Sequence, residues 1–419
     1  MTAFRRWLFP FLLGLVGLQG CAPLPLLNGQ TLYVMVVTQR KLGWLRRETV
    51  QEQLWSPLLE EFHNLRPNVR VSLYTVTEDQ VEDELKRRTS RGLGPDLILV
   101  RAPMANTLLN DGLIAPVPGN AAMDRSIAQV TPRYLDRVRQ GGRLAGLPLY
   151  ELVTLACYNR QQLPSPPRTT EDLVAMAAAG RTIGISIDPY GIWWTVGTRD
   201  ADQAMMTILT GQHDPSPAAR RRDLEVLTDW LSWLHLLAQQ SKVDLASGPE
   251  ELTNALSGSR LDWIPCFSLT LARLKASMGD RLGVATLPSG PGGAPSPFTT
   301  LQVWAFGLDS SPLQRQNASD LAALSVDPML QRRYVLDTRE VLPVNRTVQT
   351  PVASSGILAA LAEAQNQFQS GSPILSKPFT ITHLKGVAVR VEAIIQQVMV
   401  GVITPREGAM QILRLGDHP

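Results

Sequence analysis

Two periods of apolar residues alternate along this chain. Leu32 to Val37 is an unbroken apolar run of strand length, the pattern of a strand covered on both faces. Leu54, Trp55, Leu58, Leu59, Phe62 and Leu65 then recur at helical spacing and stop at Arg66-Pro67. Val69 to Thr75 alternates as a strand, and Gly94 to Val100 predicts another buried strand. Between them, Thr77-Glu-Asp-Gln80 has capping-box spacing and predicts the start of a charged helix. Strands alternating with helices predict an α/β fold around a largely parallel sheet. One later stretch, IGISIDPYGIWWT (Ile183 to Thr195), begins as a β-branched strand. At Asp188-Pro189 it turns into a cluster of three aromatics and one carboxylate.

Composition narrows the class. The chain has 419 residues, 44% hydrophobic and 18% charged, enough for two globular domains with sizeable cores. A net charge of +3 without a basic stripe excludes nucleic acid as a partner. Residues 1–21 carry Arg5 and Arg6, a short apolar run and then small residues before Cys21, the layout of an export signal. Pro10 interrupts the run, which is shorter than the ~20 residues a membrane-crossing helix needs. Leu18-Gln19-Gly20-Cys21 resembles a bacterial lipoprotein box, so Cys21 is expected to be lipidated and to anchor the mature chain, although Gln19 departs from the small residue usual there. Residues 22–30 read as a spacer. Cys157 and Cys266 remain, either as one disulfide in an oxidising compartment or as two small buried hydrophobes.

Several segments together carry a resemblance. They are LWSPLLEEFHNLRPNVRV, GPDLILV followed by LLNDGLIAPV, GGRLAGLPLYELVTLACYNRQQLPSPPRTTEDLVAMA, LGVATLPSGPGG, VLPVN, and VEAIIQQVMVGVITPREGAMQI, where Thr404 to Glu407 reads as a capping box with proline at the first helical position. In that order they resemble the extracellular solute-binding proteins of ABC transporters, in the branch that carries maltodextrins, other oligosaccharides and glycerol conjugates. The resemblance covers nearly all of the mature chain. It implies a two-lobed, type II periplasmic-binding-protein fold, with hinge crossovers between lobes that close on ligand. The expected lobe limits are 31–147 and 287–330 for the first lobe and 148–286 and 331–419 for the second, with proline-rich joints near Pro148 and Pro288. Ser289 to Pro297 has the composition of an exposed connection.

The resemblance also implies the site. Asp188-Pro-Tyr190 through Trp193 matches the family's acidic-Pro-Tyr-x-x-Trp turn, so Asp188 and Tyr190 are expected to touch ligand, with Trp193 as a further candidate. Trp193 and Trp194 are equally readable as core; neighbours on a helix point about 100° apart, so at most one faces a cleft. Tyr150 and Glu151 are candidates at the joint, with hinge packing as their other reading. Where maltodextrin binders place an aromatic and an acidic-basic pair after the strand ending at Val100, this chain has Arg101-Ala-Pro-Met104. Arg101 suits a hydroxyl, carboxylate or phosphate, or is a solvated loop arginine. Phe267 is expected as a stacking platform, and Asp262 and Trp263 as structural. Thr299, Thr300, Gln302 and Trp304 follow the proline-rich loop where the cleft is lined, and Thr38 and Gln39 follow the first strand.

The implied partners are a small carbohydrate or glycoside, the permease subunits of an ABC transporter and a membrane reached by the lipid anchor. The chain is expected to act as a monomer and to need no cofactor or metal. Against an enzyme, no Gly-x-Ser-x-Gly or His-Glu-x-x-His motif occurs, and the five histidines lack metal-ligand spacing. Asp188 and Glu151 are the one pair open to a glycosidase reading, which needs carboxyls ~5–9.5 Å apart. A sensor or envelope scaffold of the same fold is the competing function, distinguished by whether permease and ATPase genes or sensor-kinase genes lie beside this one.

Overall fold

The computed structural model describes residues 30–38, 49–187, 189–210, 216–297, 299–371 and 381–416. Strand β1 (Gln30–Thr38) lies between β2 (Val69–Thr77) and β3 (Leu97–Arg101), parallel to both. A short hairpin, β4 (Arg139–Gln140) and β5 (Arg143–Leu144), precedes β6 (Leu147–Leu152). After one residue, Val153, the chain enters a second sheet: β7 (Thr154–Asn159), β8 (Ile183–Ser186), β9 (Val243–Ala246), β10 (Trp263–Phe267) and β11 (Leu282–Ala285). It then returns through β12 (Thr300–Phe306) and β13 (Leu342–Pro343). The sheet orders are β13-β6-β12-β3-β1-β2 and β11-β7-β10-β8-β9.

Each sheet is therefore mixed, where a largely parallel one was expected. Strands β1, β2 and β3 are parallel, but β12 runs antiparallel to β3 and β6. Crossing imposes this. The chain leaves the first sheet at the end of β6 and re-enters beside that exit, so β12 starts where β3 and β6 finish and must run backwards along them.

The lobe limits also move. Pro148, read as a joint, sits inside β6, paired with Val303. Proline donates no ladder hydrogen bond, and the register slips there, with Tyr150 next opposite Gln302 and Leu149 left over. The buried Gln331 side chain meets the displaced backbone: its Nε2 donates to Leu149 O and Ser325 O at 2.8 Å each, and its Oε1 accepts from Val344 N at 2.9 Å. On the return pass the helices Pro312–Leu324 and Pro328–Thr338 and strand β13 belong to the first lobe. The chain stays there as far as Arg346, whose N–H bonds Gln129 O at 2.8 Å. The crossings accordingly fall at Val153 and after Arg346, rather than at 148 and 331, while the remaining one, between Ala285 and Thr300, contains the expected limit at 287.

Local signals hold at most ends. The first amphipathic helix spans Thr49–Leu65. Thr404 and Glu407 exchange the two bonds of a capping box, Glu407 Oε2 accepting from Thr404 N at 2.8 Å and Thr404 Oγ1 from Glu407 N at 3.3 Å. The box expected at Thr77 does not form: Thr77 still pairs with Thr38 in the sheet, its hydroxyl donates to the Gln80 side chain, and the helix starts at Val81.

Tryptophans anchor both cores. Trp304 meets Trp55 edge to face at 5.1 Å, and Trp194 packs at 6.4 Å from Trp233 and 6.1 Å from Trp263. Cys157 and Cys266 form a disulfide across β7 and β10, which settles the two readings left open for them. It ties residues 109 positions apart, a loop long enough for its loss to cost about 4–5 kcal/mol through the unfolded chain. Replacing both cysteines by alanine should lower the guanidinium midpoint by a corresponding amount; an unchanged midpoint would show that the bond contributes nothing.

Candidate functional site

The polar ends of the strands converge on the joint. Across the first sheet, Arg101 pairs with Gln302, Gln302 with Tyr150, and Tyr150 with Pro343, so direct register puts these residues in one row on one face. Thr38 ends β1 beside them and is half-buried. The second sheet contributes Thr154, which opens β7, and Phe267, which closes β10 opposite it. Ser268 locks these two ends to the joint: its N–H donates to Val153 O at 2.8 Å, and its Oγ accepts from Val153 N at 3.2 Å.

Arg101 is neither a solvated loop arginine nor an uncompensated charge. Its guanidinium bonds the Glu78 carboxylate, and both side chains are largely buried. Glu78 is held at the same edge by its backbone N–H on Thr38 O at 2.9 Å. The carboxylate absent after β3 is thus supplied from the turn after β2. Glu78 was not among the expected residues, since nothing in its local pattern marks it.

In this row Gln302 Oε1, and just before β12 the Thr299 hydroxyl, are buried without a hydrogen-bond partner. Each such group costs about 1–3 kcal/mol when left unpaired, so both favour an incoming hydroxyl. Thr300 is buried at the same return point, opposite Leu152. Phe267 is part-buried at its strand end.

Other expected contacts have different roles. Glu151 is 0% exposed and both its oxygens are taken, Oε1 by Arg137 Nη1 at 2.7 Å and Oε2 by the Tyr134 hydroxyl at 2.8 Å. It serves the joint, which corrects the cleft reading and leaves it no free oxygen for a paired-carboxylate reaction. Trp304 is fully buried against Trp55 with its indole N–H on Ser325 Oγ at 3.1 Å, because it lies two residues farther into the sheet than Gln302 on the same face of β12. Trp193 is 4% exposed within the second-lobe core, and Trp194 lies deeper still, so neither offers a stacking face. Tyr150 is also buried, bordering a small cavity with Trp55, Leu58, Leu149 and Tyr334. Burial, and next the Glu340 carboxylate, push its phenol well above the usual tyrosine range.

The second-lobe turn follows directly from β8. Pro189–Ile192, which includes Tyr190, forms one helical turn, and Trp193–Thr195 continues it as a tighter one. Thr195 accepts the Trp230 indole N–H at 2.7 Å, binding the turn to the core behind it. Asp188, Gln39 and Cys21, together with the export signal and residues 22–29 of the spacer, lie outside the described residues, whereas Gln30 already opens β1. Among the described residues no group of three His, Cys, Asp or Glu is placed to hold a metal ion, and no helix is long and apolar enough to cross a membrane.

Comparison with known proteins gives a consistent result. Residues 48–239 match the family model described as bacterial extracellular solute-binding protein. The fold is similar to the maltodextrin-binding protein MalE1 from L. casei BL23, at TM-score 0.71 and 15% identity over 93% of this chain and 100% of that one. It is also similar to an ABC transporter solute-binding protein from Thermotoga lettingae bound with α-D-tagatose (TM-score 0.69, 16% identity, 92% and 100% covered). A third similar structure is the GacH receptor of Streptomyces glaucescens, solved unliganded and with acarbose (TM-score 0.68, 16% identity, 93% and 99% covered).

Glu340 is a titratable group that bridges the lobes. Glu340, at the end of the first-lobe return, accepts the Ala272 N–H at 2.9 Å in the first turn of the second-lobe helix Leu271–Met278. Burial raises its carboxyl to about 8, against an ordinary 4.5. Between those values the folded protein holds a proton that the unfolded chain has released, so this group's contribution is complete below about pH 4.5 and declines as pH rises toward 8. Glu340→Gln keeps the acceptor and removes the titration. Its melting temperature should match the unsubstituted protein near pH 4.5 and exceed it near pH 8.5 in a calorimetric pH series; parallel curves would refute the assignment.

Proposed function

We propose that this chain, a bacterial extracellular solute-binding protein by its match over residues 48–239, captures a neutral carbohydrate or glycoside between its lobes and hands it to an ABC permease. The observation that carries the reading is the compensated row at the joint. Arg101 and Glu78 together present both a donor and an acceptor without net charge, and Gln302 and Thr299 add unpaired oxygens beside them. Such an edge suits hydroxyls, which donate and accept; a phosphodiester or carboxylate would meet Glu78 as well as Arg101. On the family's acidic-Pro-Tyr pattern, Asp188 and Tyr190 are the second-lobe ligand contacts of this reading. The similar proteins point the same way, one bound to α-D-tagatose and another to acarbose.

The lobes act as a hinge around Val153, and the chain works outside the cytoplasm, tethered to the membrane through a lipid on Cys21. Because the mature protein delivers its ligand rather than transforming it, affinity in the low micromolar range, about −8 kcal/mol, is suited to both capture and release.

Calorimetric titration of the soluble form starting at Ala22 with monosaccharides, disaccharides, polyol glycosides and glycerol phosphodiesters tests the reading. A neutral member should bind and the phosphodiesters should not; binding confined to phosphodiesters would overturn it. With the bound ligand in hand, Gln302→Ala and Tyr190→Ala should each weaken affinity by about tenfold or more, equivalent to ~1.4 kcal/mol. Unchanged affinity in both would move the site elsewhere.

A further inference from the structure

The glycine-rich stretch Ser289 to Pro297, expected to be an exposed connection, is packed against the second lobe. Its middle, Pro291 to Gly293, is exposed, but Pro295, Ser296 and Pro297 are buried. It lies on the backbone of the aromatic turn and its continuation. Ser296 N–H donates to Trp194 O at 2.8 Å and Gly292 N–H to Thr198 O at 2.8 Å. Ser289 exchanges backbone bonds with Arg168 and Thr170 at 3.0 and 2.8 Å, fixing the start of the stretch beside the helix Thr170–Ala178. The Arg199 guanidinium, from the same turn, closes the ring by pairing with Glu171 on that helix.

The glycines permit this approach. A Cβ on Gly292 would stand 2.3 Å from Asp200 N and 2.6 Å from Arg199 C; one on Gly290 would stand 2.4 Å from Thr198 O. These are backbone atoms, which cannot rotate away. On the opposite side, a Cβ on Gly197 would meet Ser296 Oγ at 2.2 Å and Ala294 O at 2.7 Å. The fit is therefore reciprocal, glycine against backbone from both partners.

The same stretch is part of the crossing from β11 to β12. Three residues beyond Ser296, the Thr299 carbonyl accepts Arg137 Nη2 at 3.2 Å, and Arg137 is paired with Glu151 at the outgoing crossing. Three residue steps reach at most ~11 Å, so the bond on Trp194 and the bond at the joint are held within that distance along the chain.

We propose that this glycine-rich crossing is a positioning element: it sets the height of the aromatic turn against the ligand and couples that turn to the hinge. The proposal deepens the carbohydrate-binding reading and rests on it for the ligand, but the coupling is a property of the protein alone. Displacing the turn pulls the crossing, and lobe closure in turn presses the crossing onto the turn.

Gly292→Ala and Gly290→Ala test it, with Gly119→Ala, whose Cβ meets nothing within 4 Å, as the control. Three quantities are read on each: ligand-free melting temperature, tryptophan emission, and affinity for the carbohydrate that the unsubstituted protein binds. Lifting the crossing should shift the emission of the buried turn tryptophans and weaken affinity about tenfold in each variant, while melting stays close to the control. Because both glycines act on one contact, the double variant should lose less than the product of the two single losses. Affinity and emission both equal to the control would overturn the proposal, as would losses that merely track a fall in melting temperature. If the unsubstituted protein binds no carbohydrate, the functional reading fails while emission still decides the positioning claim: a shift in the two variants alone supports it, and no shift overturns it.

Discussion

The joint depends on one buried ion pair. Arg137 and Glu151 are 7% and 0% exposed, so both charges have lost their water, and such a pair repays desolvation only when every remaining donor and acceptor is met. Here that condition is approached. Glu151 accepts from Arg137 and Tyr134, Arg137 also donates to the Thr299 carbonyl, and the Tyr134 hydroxyl accepts from Arg133 and from Gln365 of the second lobe. Glu151 lies on the outgoing strand, Thr299 on the returning one, and Gln365 beyond the last crossing. A single carboxylate thus holds together segments far apart in sequence. An apolar substitute of similar volume could fill the space but could not fix where three crossings meet.

That constraint shapes what the cleft offers. With β6 and β12 held side by side, Tyr150, Gln302 and Arg101 fall into one row, and the bulge at Leu149 is absorbed by Gln331 rather than passed on to the edge. The first-lobe wall is consequently polar and electrically balanced. In the second lobe, most of the aromatic mass is sunk behind the wall: Trp193, Trp194, Trp230, Trp233 and Trp263 all belong to its core. Their contribution is rigidity, since the short turn that carries Tyr190 would have little packing of its own. A rigid turn on one side and a balanced polar edge on the other suit a ligand with many hydroxyls and no charge.

What could be read along the chain divides by the range of the interaction. Period and end signals are local, so the first strands, the Thr49–Leu65 helix and the Thr404 cap follow from residues a few positions apart. The order of familiar segments then indicates two lobes and repeated crossings. Pairings have no such trace. Glu78 finds Arg101 from 23 positions away, Arg137 reaches Thr299 across 162, and neither partner differs in its neighbourhood from an ordinary surface charge. Trp304 was misplaced for a related reason: it shares a face of β12 with Gln302 but lies two residues farther into the sheet, where Trp55 covers it. Pro148 misled because proline marks joints and bulges alike, and only the partner strand tells them apart. The two cysteines needed the register of β7 on β10 to bring them together.

The turn in IGISIDPYGIWWT shows how these levels combine. The strand stops at Ser186 because the sheet's edge has reached the joint, and the chain must reverse within a few residues to return to the core. Proline opens the helical turn with its φ already suitable. Gly191 then passes so close to the strand end that a Cβ would lie 2.4 Å from that of Ser186 and 2.6 Å from its carbonyl oxygen, so the turn tightens only with glycine there. Trp194 drops onto Trp233 and Trp263, and its carbonyl is left outward to receive the N–H of Ser296. The aromatic cluster is thus less a surface for stacking than a plug that seats the turn. The crossing lies directly on the backbone of that plug, at Trp194 and Thr198.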